Sequence, residues 1–291
     1  MKLQIVFPCL PLDARIIDPD FKSEHAAVRL LGGSAMLFDF DLFKKNDIDE
    51  SFKNIPVLAE PSVWVYRGWM MTPEQYQLFY VELKKRGCVL STTPDEYNTC
   101  HVYPNIYPLL ESRAVKSFIV NDTDVDHAEI VKFFGEKKKL FVKDWVKSTK
   151  GTPGSTVIND SSNSAEVMSV TTNMIEARGD LFYGGIVYKE FVDVMKRPDG
   201  LNEEYRAFFI KDKLITWAQA NGTGGQALKP PTWIKEIAEK IPAGFYTIDF
   251  VFVEGEDGPE ALVLEAGDGG VSGLSADQLP IELYAALEEN F

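Results

Sequence analysis

Asp249 and Glu265 are the residues most able to do chemistry together. Each lies inside an apolar run, YTIDFVFV and ALVLEA, and the runs are joined by the turn-forming stretch 254–260. Read as a hairpin pairing Val253 with Ala261, these strands set Asp249 opposite Glu265, and facing side chains on antiparallel strands have Cβ atoms about 4.5–5.5 Å apart. Two such carboxylates repel unless a proton or a cation lies between them. A divalent cation is the economical partner, and Mg²⁺ on one or two carboxylates with substrate phosphate completing its shell is the common arrangement at ATP-using sites. Gly267-Asp268-Gly269-Gly270 follows, a turn free to bring Asp268 to the same ion. An exposed acidic strand end is the competing explanation.

The cationic counterpart is KLFVKDWVKS, residues 139–148. On a strand, Phe141, Lys143, Trp145 and Lys147 share one face, with the lysines roughly 13 Å apart along the axis, so both can reach an extended triphosphate. Lysines guarding an edge strand give the same pattern. The following Thr149-Lys150-Gly151-Thr152-Pro153-Gly154-Ser155 offers backbone N–H groups able to close over phosphates. It lacks the GxxxxGK[ST] spacing, and no GxGxxG follows the first strand, so P-loop and Rossmann readings both lose. Further on, IVYKEFVD (186–193) carries Lys189 and Glu190 within an apolar strand, and Glu204 and Arg206 share a strand face with Phe208. The planar fork of an arginine there suits a phosphoryl or carboxylate group, although each pair also reads as an ordinary surface pair.

Positioning these groups requires an ordered frame. From residue 3 to about 117, short apolar strands (LQIVF, AMLFDF, VWVYRG, CVLST) alternate with amphipathic stretches (EHAAVRLL, PEQYQLFYVELKKRG), which predicts a parallel α/β unit. Pro73 opens one helix and Gly87 closes it. A second helix is expected near 126–134. Residues 148–164 hold eight Ser or Thr, two Gly and one Pro, a loop of the kind that is often functional inside a compact domain. The remainder reads as β-rich, with Lys211-Asp212-Lys213 turning one hairpin.

Composition narrows the partners. The chain of 291 residues has 30 basic and 44 acidic side chains, a formal charge of −14. That balance disfavours nucleic acid and anionic membrane, both of which need clustered Lys and Arg. No apolar run reaches the length of a membrane span, and the first residues read as a strand interrupted by Pro8 rather than as a secretion signal. Cys9, Cys88 and Cys100 fit neither a disulfide framework nor a metal knuckle, which points to a reducing cytoplasm. The triplets at Asn121 and Asn221 carry no weight as glycosylation sites without a secretion signal. His25, His101 and His127 lack partners at catalytic spacing and read as packing residues.

Taken in order, Lys143, the Gly/Ser loop, Glu190-Phe191-Val192, Arg206, Asp249 and Glu265 resemble the ATP-grasp superfamily over about residues 114–275. Within it, VKDWVKS, EYRAFF, LEAGDGGVSGL, FPCLPLDARIIDPDF and VYRGWMM resemble a bacterial and phage clade named for one arginine and two lysines. The resemblance implies an α/β (α+β) architecture: an N-terminal parallel α/β substrate domain over 1–113, a small lid subdomain over 114–189, and a C-terminal subdomain with the metal site over 190–291. It also implies that Lys143 and Lys147 contact phosphate oxygens, that the backbone around Glu190, Phe191 and Val192 binds adenine, and that Lys116 is the further lysine before the lid. Asp249, Glu265 and Asp268 would hold one or two Mg²⁺, and Arg206 would steady the transferred phosphoryl group. Where the family often has Asn two residues after the second metal carboxylate, this chain has Gly267.

The implied chemistry is carboxylate activation: ATP yields an acyl phosphate, which an amine converts to an amide. An amino acid, peptide or small metabolite would be the substrate, with Arg67, at the C-terminal end of its strand, and Arg15 as candidates for binding it; for Arg67 a structural salt bridge is the equal alternative. A phosphotransferase acting on a hydroxyl and a nucleotide-binding regulatory protein without turnover are the alternatives.

Overall fold

Strand and helix alternate through the first hundred residues: β1 (Gln4–Leu10), β2 (Asp13–Ile17), α1 (Lys22–Leu30), β3 (Ser34–Phe38), α2 (Phe40–Lys44), α3 (Ile48–Ser51), β4 (Ser62–Tyr66), α4 (Pro73–Lys85), β5 (Cys88–Leu90) and α5 (Pro94–His101). The middle of the chain supplies α6 (Tyr103–Leu110), β6 (Ser117–Val120), α7 (His127–Phe134), β7 (Leu140–Asp144), β8 (Val157–Ile158), α8 (Ser164–Arg178) and β9 (Ile186–Glu190). The last part forms β10 (Glu204–Ile210), β11 (Lys213–Gln219), α9 (Ile234–Ala238), β12 (Phe245–Gly255), β13 (Gly258–Asp268) and α10 (Pro280–Asn290). This is a computed structural model; it describes residues 2–11, 13–222 and 228–291, so Thr223 of the second glycosylation triplet lies outside the described residues.

Local chemistry explains several of these elements. At α4, Thr72 accepts from the Gln75 N–H while the Gln75 side chain accepts from the Thr72 N–H, and Pro73 fills the first helical position, a capping box that uses two otherwise orphaned donors. Just beyond the helix, Gly87 takes φ 82°, a conformation that costs glycine little. Helix α7 starts at the Asp126 cap, as the sequence predicts. The β-rich expectation fails at α8: Val167, Val170, Thr171 and Met174 are buried at helical spacing, but the Ser, Thr and Asn residues among them obscure the period.

The chain divides into two compact units. The first comprises residues 1–101, 204–250 and 266–291. Its five-stranded sheet runs β3 and β4 parallel to β1, β5 parallel to β4, and β2 antiparallel to the end of β1. Strand alternation gives this sheet two cores. Val6, Trp64 and Tyr66 join Phe38, Phe52, Tyr76, Phe79 and Tyr97 on one side. Ile5, Phe7 and Val65 join Phe208, Ile210, Phe245, Tyr284 and Leu287 on the other, so this unit closes only with residues far along the chain.

The second unit comprises residues 102–203 and 251–265. Its antiparallel sheet has the order β6-β9-β7-β8. Leu140, Val142, Ile186 and Tyr188 point to a core made with Ile130 and Phe134 of α7 and Val167 and Met174 of α8. By the period-two rule, Lys143 and Lys189 occupy the opposite face. The unit boundaries fall within β12 and β13, neighbours in a third sheet of order β11-β10-β12-β13.

Candidate functional site

In the second unit, β7 and β9 place two lysines side by side. Phe141 pairs with Lys189 and Lys143 with Val187, so Lys143 and Lys189 are diagonal neighbours on one face. Both are buried, at 3% and 5% exposure. Lys143 Nζ lies 2.7 Å from Glu265 Oε2 and 3.3 Å from the Val146 carbonyl, and Lys189 Nζ donates to the Leu264 carbonyl. Burial, then the Lys143 charge, brings Lys189 down to about 7, against the pull of Glu265. Burial pushes Glu265 up, but the charges of Lys143 and Lys189 prevail and hold its carboxyl well below the usual range. Its side chain keeps 40% of its surface.

The expected Lys143–Lys147 pairing on one strand does not form. Asp144 ends β7: its carboxylate accepts from the Val146 and Lys147 N–H groups at 2.7 and 2.5 Å, an Asx-type turn that draws the backbone off the sheet. Arg178 holds the other Asp144 oxygen at 2.6 Å. Lys147 is consequently exposed beyond the strand, and the second buried lysine is Lys189. A charged residue inside the apolar run IVYKEFV was the available signal, since lysine is seldom buried without a partner; what the sequence lacked was the strand register.

Nearby, the Glu190 and Phe191 N–H groups donate to the Lys116 and Lys139 carbonyls, and Lys139 Nζ lies 3.8 Å from the Phe191 ring centroid. Val192 follows directly after β9 and is half-buried. Lys116 Nζ donates to the Phe133 carbonyl at 2.8 Å and sits over the Phe133 ring.

In the first unit, Arg206 holds Asp249 through both fork nitrogens, Nε to Oδ1 at 2.9 Å and Nη2 to Oδ2 at 2.7 Å, while Nη1 donates to the Gly273 carbonyl. Arg67 is 1% exposed. It binds both carboxylate oxygens of Glu24 at 2.8 Å and donates to the Gly269 and Ser272 carbonyls, and Tyr284 Oη adds 2.6 Å to Glu24. Burial opposes its charge, but Glu24 and Tyr284 keep the guanidinium protonated. This is the geometry of an internal ion pair rather than of a group facing a ligand. Arg15 is exposed and pairs with Asp13 at 3.0 Å.

Asp268 does not join a carboxylate cluster. Strand β13 continues through it, and residues three apart on a strand point to opposite faces, so Asp268 turns away from the face bearing Glu265. It is buried with Oδ1 accepting from the Gly270 N–H at 2.8 Å, and Oδ2 has no partner among the described residues. The hydroxyls of Tyr66, Tyr76 and Tyr97 donate to the Trp69, Thr92 and Met71 carbonyls instead. Burial pushes its pKa up to about 7. Among the described residues, no group of three or more His, Cys, Asp or Glu is placed to hold a metal. Glu265 and Asp249 have the hard oxygen chemistry that Mg²⁺ takes; each is paired with a cation of the protein, Lys143 or Arg206.

The sequence from 131 to 287, more than half of the chain, matches the model of the ATP-grasp domain, R2K clade family 3. The chain belongs to this ATP-grasp family. Three solved ATP-grasp folds illustrate the likeness. N5-carboxyaminoimidazole synthetase from Staphylococcus aureus, complexed with ADP, superposes with a TM-score of 0.65 at 10% identity, covering 100% of this chain and 78% of that one. D-alanine–D-alanine ligase from Bacillus anthracis, complexed with ATP, gives 0.59 at 13%, covering 98% and 91%. The ATP-grasp ligase PsnB, complexed with a precursor peptide and AMPPNP, gives 0.57 at 14%, covering 98% and 97%. The ATP-grasp fold expected from the order of motifs is therefore present. No curated protein matches the sequence. Among the described residues, no helix is long and apolar enough to cross a membrane.

Proposed function

We propose that this ATP-grasp protein is an ATP- and Mg²⁺-dependent ligase that joins a carboxylate to an amine through an acyl phosphate. The observation that carries the reading is the pair of buried lysines beside Glu265 within the family-matched span. Two lysines are withdrawn from water beside a single carboxylate, and Lys189, brought down to about 7 by burial and the Lys143 charge, gains its proton readily once an anion lies alongside; a polyphosphate is a ligand that supplies such charge. ATP, ADP and an ATP analogue in the solved neighbours support the same ligand.

In this reading Lys143, Lys189 and Lys147 contact phosphate oxygens, while the backbone of 190–192 takes the adenine edge, with Lys116 behind it. Glu265 would hold Mg²⁺, and the ion would offset phosphate charge. A substrate carboxylate oxygen attacks the γ-phosphorus, the bond to the β–γ bridging oxygen breaks, and ADP departs. The amine nitrogen then attacks the acyl carbon, phosphate leaves, and the nitrogen loses a proton. Arg206 steadies the transferred group, where positioned cations matter more than covalent help. Residues 1–113 select the substrate, 114–189 act as a lid that excludes water, and 190–291 carry the metal carboxylate. Of the two candidate arginines only Arg15 is exposed, and the substrate carboxylate is assigned to it. A peptide substrate, as in the PsnB complex, is one of the classes to be tried. Three free, buried cysteines suit a reducing cytoplasm.

The test is phosphate release from ATP and Mg²⁺ with pooled amino acids and peptides, with hydroxylamine added to trap the acyl phosphate as a hydroxamate. Release that requires both carboxylate and amine, and is lost in Lys143→Met and Glu265→Gln, is expected. A phosphorylated product stable to hydroxylamine would sink the ligase reading in favour of a kinase.

A further inference from the structure

The two buried lysines share a third neighbour. Tyr103, at the start of α6, presents its ring to both ammonium groups, with Lys189 Nζ 4.4 Å and Lys143 Nζ 5.2 Å from the ring centroid. Among the described residues, Lys143 alone of the two has a carboxylate within bonding distance, and Lys189 has the Leu264 carbonyl and the ring. An aromatic face attracts a cation by its quadrupole, and more strongly where water is excluded. The ring is itself held in place. Ser117 Oγ gives its hydrogen to the Val115 carbonyl at 2.8 Å, so Tyr103 Oη donates to Ser117 Oγ at 2.9 Å. Ser117 lies directly across the sheet from Lys189, and the Tyr103 N–H donates to the Trp145 carbonyl at 2.8 Å. The ring is thus pinned at its hydroxyl by the strand beside Lys189 and at its backbone by the residue two beyond Lys143.

We propose that Tyr103 is a positioning residue: its π face holds the ammonium groups of Lys143 and Lys189 together on one side of the sheet, ready for a polyanion. The inference rests on the polyphosphate reading of the same site and adds to it a residue that no charge pattern reveals. A tyrosine at a helix start reads as core from sequence alone. Without the ring, Lys143 and Lys189 would lose the neighbour they share, the Leu264 carbonyl alone would hold Lys189, and the second lysine would have to be gathered in when ligand binds.

The test separates electronics from shape. Tyr103 is replaced by Phe, then by 4-fluoro-, 3,5-difluoro- and 3,4,5-trifluorophenylalanine, which keep the ring nearly the same size while emptying its face of negative charge. Tyr103→Leu removes the ring. Equilibrium binding is measured with two probes, ATP with Mg²⁺ and inorganic triphosphate, and thermal unfolding verifies that each variant is folded. Affinity should fall stepwise with each fluorine and by about tenfold in Tyr103→Leu. A merely structural role would leave affinity flat along the fluorine series, and that result overturns the inference. Wild-type protein that binds triphosphate but not ATP would remove the nucleotide reading while the series with triphosphate still decides the role of Tyr103. Wild-type protein that binds neither probe would overturn both.

Discussion

Two buried ion pairs, one in each unit, show how differently the same chemistry can be used. Arg67 and Glu24 are closed: their side chains are 1% and 7% exposed, and the guanidinium also donates to two carbonyls while Tyr284 takes up a carboxylate oxygen. Lys143 and Glu265 are open: the lysine is buried, but the glutamate keeps 40% of its side-chain surface and a second lysine lies alongside. A closed pair satisfied on every side serves the fold. An open pair of this kind has room for something else. In the sequence, Arg67 at a strand end reads equally as a substrate ligand and as a structural salt bridge, and Lys143 as a phosphate ligand or as the guard of an edge strand, so the two pairs are not told apart there.

Removing one partner of each pair gives the sharpest contrast. Arg67→Met strands Glu24 in the core and should lower unfolding stability by about 3–5 kcal/mol, measured by denaturant titration, whereas the double variant Arg67→Met/Glu24→Leu should recover part of that loss. If the single variant unfolds like wild type, the closed pair is not structural. Lys143→Met should do the reverse. Glu265 can turn to water, so stability should change by less than about 1 kcal/mol, while affinity for ATP with Mg²⁺ drops by about tenfold or more through loss of a charge-assisted hydrogen bond. Unchanged affinity would break the comparison.

A smaller effect is expected at Asp268, whose unpartnered oxygen makes it a third kind of buried group. Its folded pKa, about 7, lies above the ordinary 3.8, so the folded state binds the proton more tightly than the unfolded chain. Stability from this group is complete below about pH 4 and is lost as pH rises to about 7. Asp268→Asn keeps an acceptor for the Gly270 N–H and cannot ionise. It should be more stable than wild type at pH 8 and lose that advantage at pH 4, as read by melting temperature across pH. Asp144→Ala removes the turn closing β7 and the carboxylate that Arg178 Nε binds, and should cost on the order of 1–3 kcal/mol. A shift of Lys147 reactivity toward amine-directed reagents would show the turn relaxing.

How far the sequence reached depends on the range of the interaction that decides each feature. Short-range signals held: Pro73, Thr72 and Gly87 bound a helix, Asp126 caps another, and Lys211-Asp212 turns the β10–β11 hairpin. The order of charged motifs pointed to the right superfamily, because each motif is local. What failed required knowing which strand lies beside which. Nothing local joins Lys189 to Lys143, because β7 and β9 are separated by a loop, β8 and all of α8. Proximity in sequence groups Asp268 with Glu265, but β13 runs three residues further and reverses its face. Local sequence does not decide between a ligand and a salt-bridge role for Arg67, because the groups around it, Glu24, Gly269, Ser272 and Tyr284, lie 43 to more than 200 positions away.

The Arg67 latch sets a timetable for synthesis. The carbonyls it binds belong to residues 202 and 205 positions downstream, and the sheet that carries it packs against Phe208, Phe245 and Tyr284. At about 5–20 residues per second on the ribosome, roughly 10–40 s elapse between the appearance of Arg67 and that of its partners. During that interval the nascent N-terminal sheet exposes Ile5, Phe7 and Val65 and carries an arginine not yet capped by those carbonyls. Unit 2 is less affected, since residues 102–203 are contiguous and bring their own core. The middle of the chain is therefore born ready to fold, while the unit that starts first finishes last and relies on whatever shields hydrophobic surface in the cell until residue 284 emerges.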